Sequence, residues 1–97
     1  MSGDVYILGG SQTDFARNWA REGFEVFDMF AAALTDAVND AGIEPGQIDV
    51  GHVGNFVADL FAGQGLLGGF FGQVYPELGM LPTSRHEAAC ASGAMAI

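Results

Sequence analysis

Lysine is absent from this 97-residue chain, and three arginines are its only strongly basic residues. Twelve aspartates and glutamates leave a formal net charge of −9 at pH 7. A chain this acidic repels phosphate groups. We therefore expect no binding to nucleic acid or to an anionic membrane surface. Any polyanionic ligand would need cations supplied from elsewhere.

Cysteine is equally scarce, since Cys90 is the only one. A single cysteine excludes an internal disulfide and fits a reducing, cytoplasmic setting. The first ten residues, MSGDVYILGG, have no basic flank and too short an apolar run for a secretory signal. The longest apolar candidate, residues 56–75, contains Asp59, two glutamines and five glycines. We expect no membrane-spanning helix there.

The pattern of apolar residues predicts alternating strands and helices. The run Val5–Leu8 before two glycines is typical of a strand buried on both faces of a parallel sheet. From Phe24 the apolar residues recur every three or four positions, which indicates an amphipathic helix. Gly42 is placed to cap this helix, with Pro45 beyond it.

Two further strands are expected at residues 48–57 and 83–89, with a helix beginning near Cys90. Between them lies a glycine-rich stretch, residues 62–79 (AGQGLLGGFFGQVYPELG). It lacks the spacing of the known glycine-rich phosphate-binding loops. We interpret it as a structural segment, a poor helix with an apolar face formed by Leu67, Phe70 or Phe71, and Val74, that ends at Pro76. We expect it to pack on another part of the protein or on another subunit. The element order predicts an α/β fold with crossover connections.

Cys90 is the candidate nucleophile. A cysteine between a strand and a helix meets unpaired backbone N–H groups and the positive end of the helix dipole, which favour the thiolate. The neighbouring alanines, Ser92 and Gly93 leave room for a substrate. The alternative is an inert buried cysteine, which is common in proteins.

The segment EAACASGAMAI, residues 87–97, resembles the nucleophile segment of the thiolases, especially those of the sterol-carrier-protein type and their bacterial relatives. The resemblance continues through YILGGSQTDFARN, AALTDAVNDAGIEPGQIDVGHVGNF and LPTSRHEAACASG, in family order. Cys90, Ser92 and Gly93 are its most specific part. It implies a thiolase-like layered α/β fold. Residues 1–97 would form the N-terminal part of its first half, an incomplete domain.

The resemblance also implies chemistry. In thiolases the cysteine, here Cys90, accepts an acyl group from a coenzyme A thioester, and its backbone N–H contributes to an oxyanion hole. An acetyl-CoA enolate or coenzyme A then removes the acyl group. The activating histidine, a second cysteine and most coenzyme A contacts lie in later segments of the family, which also forms dimers or tetramers. We expect no covalently bound cofactor and no metal site.

The two histidines are weaker candidates. His86 precedes Cys90 by four residues, about 13 Å along an extended strand, too far for a base that contacts the thiol. His52 lies on another predicted strand, with no partner evident in the sequence. Both are interpreted as ordinary strand residues.

Other functions remain open at this point. A different condensing enzyme of the same superfamily, such as a ketoacyl or hydroxymethylglutaryl-CoA synthase, would share a cysteine at a helix start. A non-catalytic thiolase-like subunit is a third alternative. The chain stops within an uncapped predicted helix. With the resemblance, this implies the first part of one half of a thiolase, whether as a truncated sequence, a truncated gene product or one piece of a split or cleaved protein. We expect this part alone to be inactive, because the later histidine and second cysteine of the family are missing.

Overall fold

The computed structural model describes residues 3–56 and 67–97. Helices and strands alternate along the chain, as the sequence predicts for an α/β fold. The elements, in order, are α1 (Val26–Ala41), β1 (Gly51–Gly54), α2 (Phe70–Val74), β2 (Thr83–His86) and α3 (Ser92–Ala96), with short 3-10 turns at Pro45–Gln47, Leu67–Gly69 and Pro76–Leu78.

Helix α1 is defined by residues at both of its ends. At the start, the backbone N–H of Glu25 donates to Asp28 Oδ2 at 2.7 Å, which closes a reciprocal capping box. At the end, Gly42 adopts the left-handed conformation with φ 69°, and its N–H donates to the carbonyl of Val38 at 3.1 Å. The predicted helix and its glycine cap are confirmed, although the sequence pattern did not identify Glu25 as the N-terminal cap.

Strands β1 and β2 pair in parallel, with Gly51 opposite Thr83 and Gly54 opposite His86. Both strands are shorter than the predicted ranges. Residues 48–50 lead out of a 3-10 turn rather than extending β1, and β2 ends at His86. Position 57 of the predicted range lies outside the described residues. The parallel arrangement itself is confirmed, and it aligns the carboxyl ends of the two strands at one edge.

The core forms where α2 packs against α1. Phe70 and Phe71 are 2% and 8% exposed. Phe70 makes edge-to-face contacts with Phe27 and Phe30 at ring-centroid distances of 5.2 and 5.3 Å. Phe71 contacts Phe30 in the same way at 4.9 Å. Pairs of this geometry add about 0.5–1.5 kcal/mol beyond the area that they bury.

The apolar face predicted for the glycine-rich stretch is confirmed in its described part. Leu67 is buried beside the two phenylalanines, and α2 ends at Val74, before Pro76. The predicted packing partner is α1 of the same chain. Residues 62–66 of the stretch lie outside the described residues.

The predicted buried strand at Val5–Leu8 is wrong. These four residues form no strand, and their side chains are 66–92% exposed. A buried parallel strand needs a hydrogen-bonded neighbour and cover on both faces. Within residues 3–56 and 67–97, the sheet contains β1 and β2 alone. The apolar run therefore has neither a hydrogen-bonded neighbour strand nor cover on its two faces among the described residues.

The segment after this run is attached to α1 by polar contacts. The N–H of Gly10 donates to Asp40 Oδ2 at 3.0 Å, and the hydroxyl of Ser11 donates to the carbonyl of Ala33 at 2.7 Å.

Further along, Arg17 lies over the ring of Trp19 at 3.7 Å and pairs with Glu22 at 2.8 Å. The hydrogen bond that Arg17 donates to the Glu22 carboxylate raises the pKa of the Arg17 guanidinium above its ordinary value.

None of the helices in the described ranges combines the length and the apolar character needed to cross a bilayer. Half of the apolar candidate at residues 56–75, positions 57–66, lies outside those ranges. Its described C-terminal part contains the 3-10 turn and α2, which together cover only residues 67–74.

Candidate functional site

Cys90 lies in the five-residue connection between β2 and α3, and its side chain is exposed. The predicted junction between a strand and a helix is thereby confirmed. The helix itself begins at Ser92, two residues later than the sequence indicated. Cys90 therefore belongs to the turn before the helix and not to its first turn.

The backbone of this turn is strained at the residue before the cysteine. Ala89 has φ 47°, which lies in the left-handed region. Within residues 3–56 and 67–97, it is the only residue other than glycine with a positive φ. Such a conformation costs about 1–2 kcal/mol for a residue with a Cβ atom. The chain reverses at this point, because Ala91 N–H donates to the carbonyl of Ala88 at 2.9 Å.

The hydroxyl of Ser92 bridges the segment Ala88–Ala89, which contains the strained residue. It accepts a hydrogen bond from the N–H of Ala88 at 2.8 Å and donates one to the carbonyl of Ala89 at 2.7 Å. Ser92 is 5% exposed. Each of these bonds contributes about 0.5–1.5 kcal/mol net, so that together they offset the strain at Ala89. The turn that carries Cys90 is thus stabilised by a side chain two residues after it.

A close backbone contact fixes the same turn from the side of the sheet. A Cβ atom placed on Gly54, the last residue of β1, would lie 2.6 Å from the carbonyl carbon of Ser92 and 2.8 Å from Cα of Gly93. Only glycine allows the end of β1 to approach the start of α3 this closely. The carboxyl ends of both strands therefore determine the position of the Cys90 turn.

The two histidines form a separate cluster with Ser84 across the sheet. His52 Nδ1 lies 2.8 Å from Ser84 Oγ and 2.9 Å from His86 Nε2, and Ser84 Oγ lies 3.0 Å from His86 Nε2. No partner for His52 is evident in the sequence, and the structure supplies two. The register pairs His52 directly with Ser84, and His86 is the next residue on the same face.

His86 Nε2 thus lies within hydrogen-bond distance of both His52 and Ser84. The interpretation of His86 as a strand residue is confirmed, since it is the last residue of β2, and its exclusion as a base stays a prediction. Within the part of the chain that the structure describes, no group of three or more histidine, cysteine, aspartate or glutamate side chains could hold a metal ion.

Two known proteins with the same name are similar to nearly the whole of this chain. The chain is 37% identical over 94 residues to an acetyl-CoA acetyltransferase of Methanothermobacter thermautotrophicus. It is 38% identical over 94 residues to a protein of the same name from Methanocaldococcus jannaschii. Both alignments cover 97% of this chain, and they cover 24% and 23% of the relatives. No family model matches the chain.

The chain thus spans about a quarter of the length of the curated relatives that it matches. The similarity covers nearly all of its residues, because three positions fall outside each alignment. Both the apolar run Val5–Leu8 and the turn of Cys90 lie more than three residues from the ends of the chain, so the similarity includes them. This similarity, together with the α/β order of the described residues, agrees with the resemblance to the thiolases: nearly the whole chain is similar to one part of two proteins named acetyl-CoA acetyltransferase.

Proposed function

We propose that Cys90 is the acyl-accepting nucleophile of an acetyl-CoA acetyltransferase whose substrates are coenzyme A thioesters. The proposal rests above all on one observation. The only cysteine of a chain similar to two proteins of that name is exposed in a backbone turn between a parallel strand and a helix. An exposed thiol held in a defined turn has the access and orientation that a nucleophile needs.

The proposed reaction has two acyl transfers. In the first, Cys90 Sγ attacks the thioester carbonyl, a new carbon–sulfur bond forms, and coenzyme A leaves as its thiolate, which takes up the proton lost from Cys90. In the second, acetyl-CoA loses a proton to become an enolate, which attacks the acyl carbonyl of the acyl-enzyme. A carbon–carbon bond forms, the carbon–sulfur bond to Cys90 breaks, and Cys90 leaves as its thiolate. In the opposite direction the acyl-enzyme forms by cleavage of a 3-ketoacyl-CoA, and the thiolate of coenzyme A takes the acyl group while Cys90 again leaves as its thiolate. Backbone N–H groups at the turn would stabilise the tetrahedral oxyanion.

We further propose that the base for Cys90, the second acid–base group and the cations for coenzyme A come from outside these 97 residues. The net charge of −9 and the engagement of both histidines in the sheet cluster support this. The exposed apolar run Val5–Leu8 supports cover by other parts of a longer chain or by a second subunit of a dimer or tetramer. We propose a cytoplasmic location.

The test uses the natural polypeptide that carries these residues. After incubation with acetyl-CoA, the peptide containing Cys90 should gain one acetyl group by mass spectrometry. Cys90→Ser should abolish this adduct and nearly all turnover, because a serine hydroxyl is far less ionised than a thiol near neutral pH. Met80→Ala is a suitable control, since Met80 is 95% exposed.

The outcome separates the proposed function from its alternatives. Acetylation of another residue, or normal thiolysis by the Cys90→Ser protein, would contradict the assignment of Cys90. Acylation of Cys90 without carbon–carbon bond formation or thiolysis would contradict the acetyltransferase activity. It would still support the assignment of Cys90 as the nucleophile.

A further inference from the structure

We propose that Ser92 is a positioning residue for Cys90. Its hydroxyl holds Ala89 in the left-handed conformation, and this conformation sets the direction in which Cys90 presents its thiol. The inference rests on the proposed nucleophilic role of Cys90 and adds a second residue to it. Ser92 does not contact the reacting atoms in this role.

The hydrogen bonds of Ser92 are placed for this task. One hydroxyl spans the N–H of Ala88 and the carbonyl of Ala89, so that it bridges the two-residue segment Ala88–Ala89, which contains the strained residue. The N–H of Ser92 also donates to the carbonyl of Ala89, at 3.2 Å. Rotation at Ala89 toward an ordinary backbone conformation would break these contacts together. The serine therefore couples the dihedral angles of Ala89 to the start of α3.

Burial keeps the Ser92 hydroxyl in its two hydrogen bonds to Ala88 and Ala89. Ser92 is 5% exposed, so water has little access to replace either hydrogen bond. The backbone of Ser92 is in turn held against Gly54, where a Cβ atom would collide with it. Cys90, in contrast, is exposed and lies between the two anchored residues. The thiol can reach a substrate while the backbone on either side of it is fixed.

The test compares three variants of the natural polypeptide by the rate at which acetyl-CoA acetylates Cys90. Ser92→Ala removes both hydroxyl hydrogen bonds and should lower the rate at saturating acetyl-CoA by about tenfold or more, because small displacements of a reacting group are costly. The acetyl-CoA concentration at half-saturation should be unchanged. Ser84→Ala is the matched control, since it removes a half-buried serine hydroxyl that contacts His52 and His86 instead.

The third variant, which combines Ala89→Gly with Ser92→Ala, tests the mechanism through Ala89. Glycine adopts the left-handed conformation without strain, so Ala89→Gly should restore most of the acetylation rate lost in Ser92→Ala. A serine that only stabilised the core would not be rescued by this change. The double variant therefore distinguishes positioning of Cys90 from general stabilisation.

Each outcome bears on the inference. The inference is overturned if folded Ser92→Ala acetylates Cys90 at an unchanged rate, or if only the acetyl-CoA concentration at half-saturation changes. It is also overturned if the double variant shows no rescue. If Ser92→Ala does not fold, a folded double variant with a near-normal rate supports the inference, and a double variant that also fails to fold overturns it. If the unaltered protein never acetylates Cys90, the proposed function fails first, and alkylation of Cys90 by iodoacetamide then replaces acetylation as the measured rate.

Discussion

The contact between Gly54 and the start of α3 provides the sharpest test of how the sheet positions Cys90. In Gly54→Ala, the new methyl carbon would lie 2.6 Å from the carbonyl carbon of Ser92, whereas ordinary contacts of this kind begin at 3.4 Å. The backbone of α3 or β1 must therefore move by at least about 0.8 Å, the difference between 3.4 and 2.6 Å, because the carbonyl oxygen of Ser92 would lie closer still. Both partners are main-chain atoms, so no side chain can rotate to relieve the collision.

This displacement has two measurable consequences. Overpacking of a tight site typically costs about 1–3 kcal/mol, which should appear as a lower midpoint of denaturant unfolding. Because a shift of about 1 Å at a reacting group can cost about 100-fold in rate, we also expect acetylation of Cys90 to slow by one to two orders of magnitude. The two effects are measured on the natural polypeptide by urea unfolding monitored by fluorescence and by mass spectrometry of the Cys90 peptide.

Gly46→Ala is the matched control, because a Cβ atom at Gly46 meets no atom within 4 Å and its backbone is not left-handed. It should leave both the unfolding midpoint and the acetylation rate near those of the unaltered protein. If Gly54→Ala behaves like Gly46→Ala in both assays, the sheet does not position the turn, and the reasoning is refuted.

Two further predictions concern the packing that supports the site. Phe70→Ala should lower the free energy of unfolding by about 3–5 kcal/mol, because the ring is 2% exposed against two phenylalanines of α1. Met80→Ala, at a side chain 95% exposed, should change it by less than about 0.5 kcal/mol in the same urea titration. Gly42→Ala should cost about 1 kcal/mol, since φ is 69° there, and an unchanged midpoint would show that the left-handed cap contributes little.

The local elements of the fold could be predicted from the sequence. The stripe of apolar residues and Gly42 identified α1, because helix hydrogen bonds and caps involve residues close together in the chain. The apolar face at Phe70 and Phe71 was equally evident. The prediction for Val5–Leu8 failed for the opposite reason. An apolar run indicates that a segment can be buried. Which strands would lie beside that segment in a sheet depends on residues far away in the sequence.

The site was only partly predictable. Cys90 was identified from its single occurrence and its small neighbours, and its place between strand and helix is confirmed. The left-handed conformation before it carries no signal in the sequence, because glycine or asparagine usually indicates such a conformation and alanine does not. The contact between His52 and His86 depends on the register of two strands, which the residues of neither strand specify alone.

The parallel pairing of β1 and β2 also determines when the turn of Cys90 can form during synthesis. His52 and its strand partner Ser84 are 32 residues apart. At about 5–20 residues per second, a ribosome takes about 2–6 s to add that stretch, whereas α1 can form within about a microsecond of leaving the ribosome. Until β2 emerges, β1 has no partner strand among the described residues, and Gly54 has no helix to contact. The geometry that holds Cys90 is therefore assembled late, after the helix and the aromatic core are already available to support it.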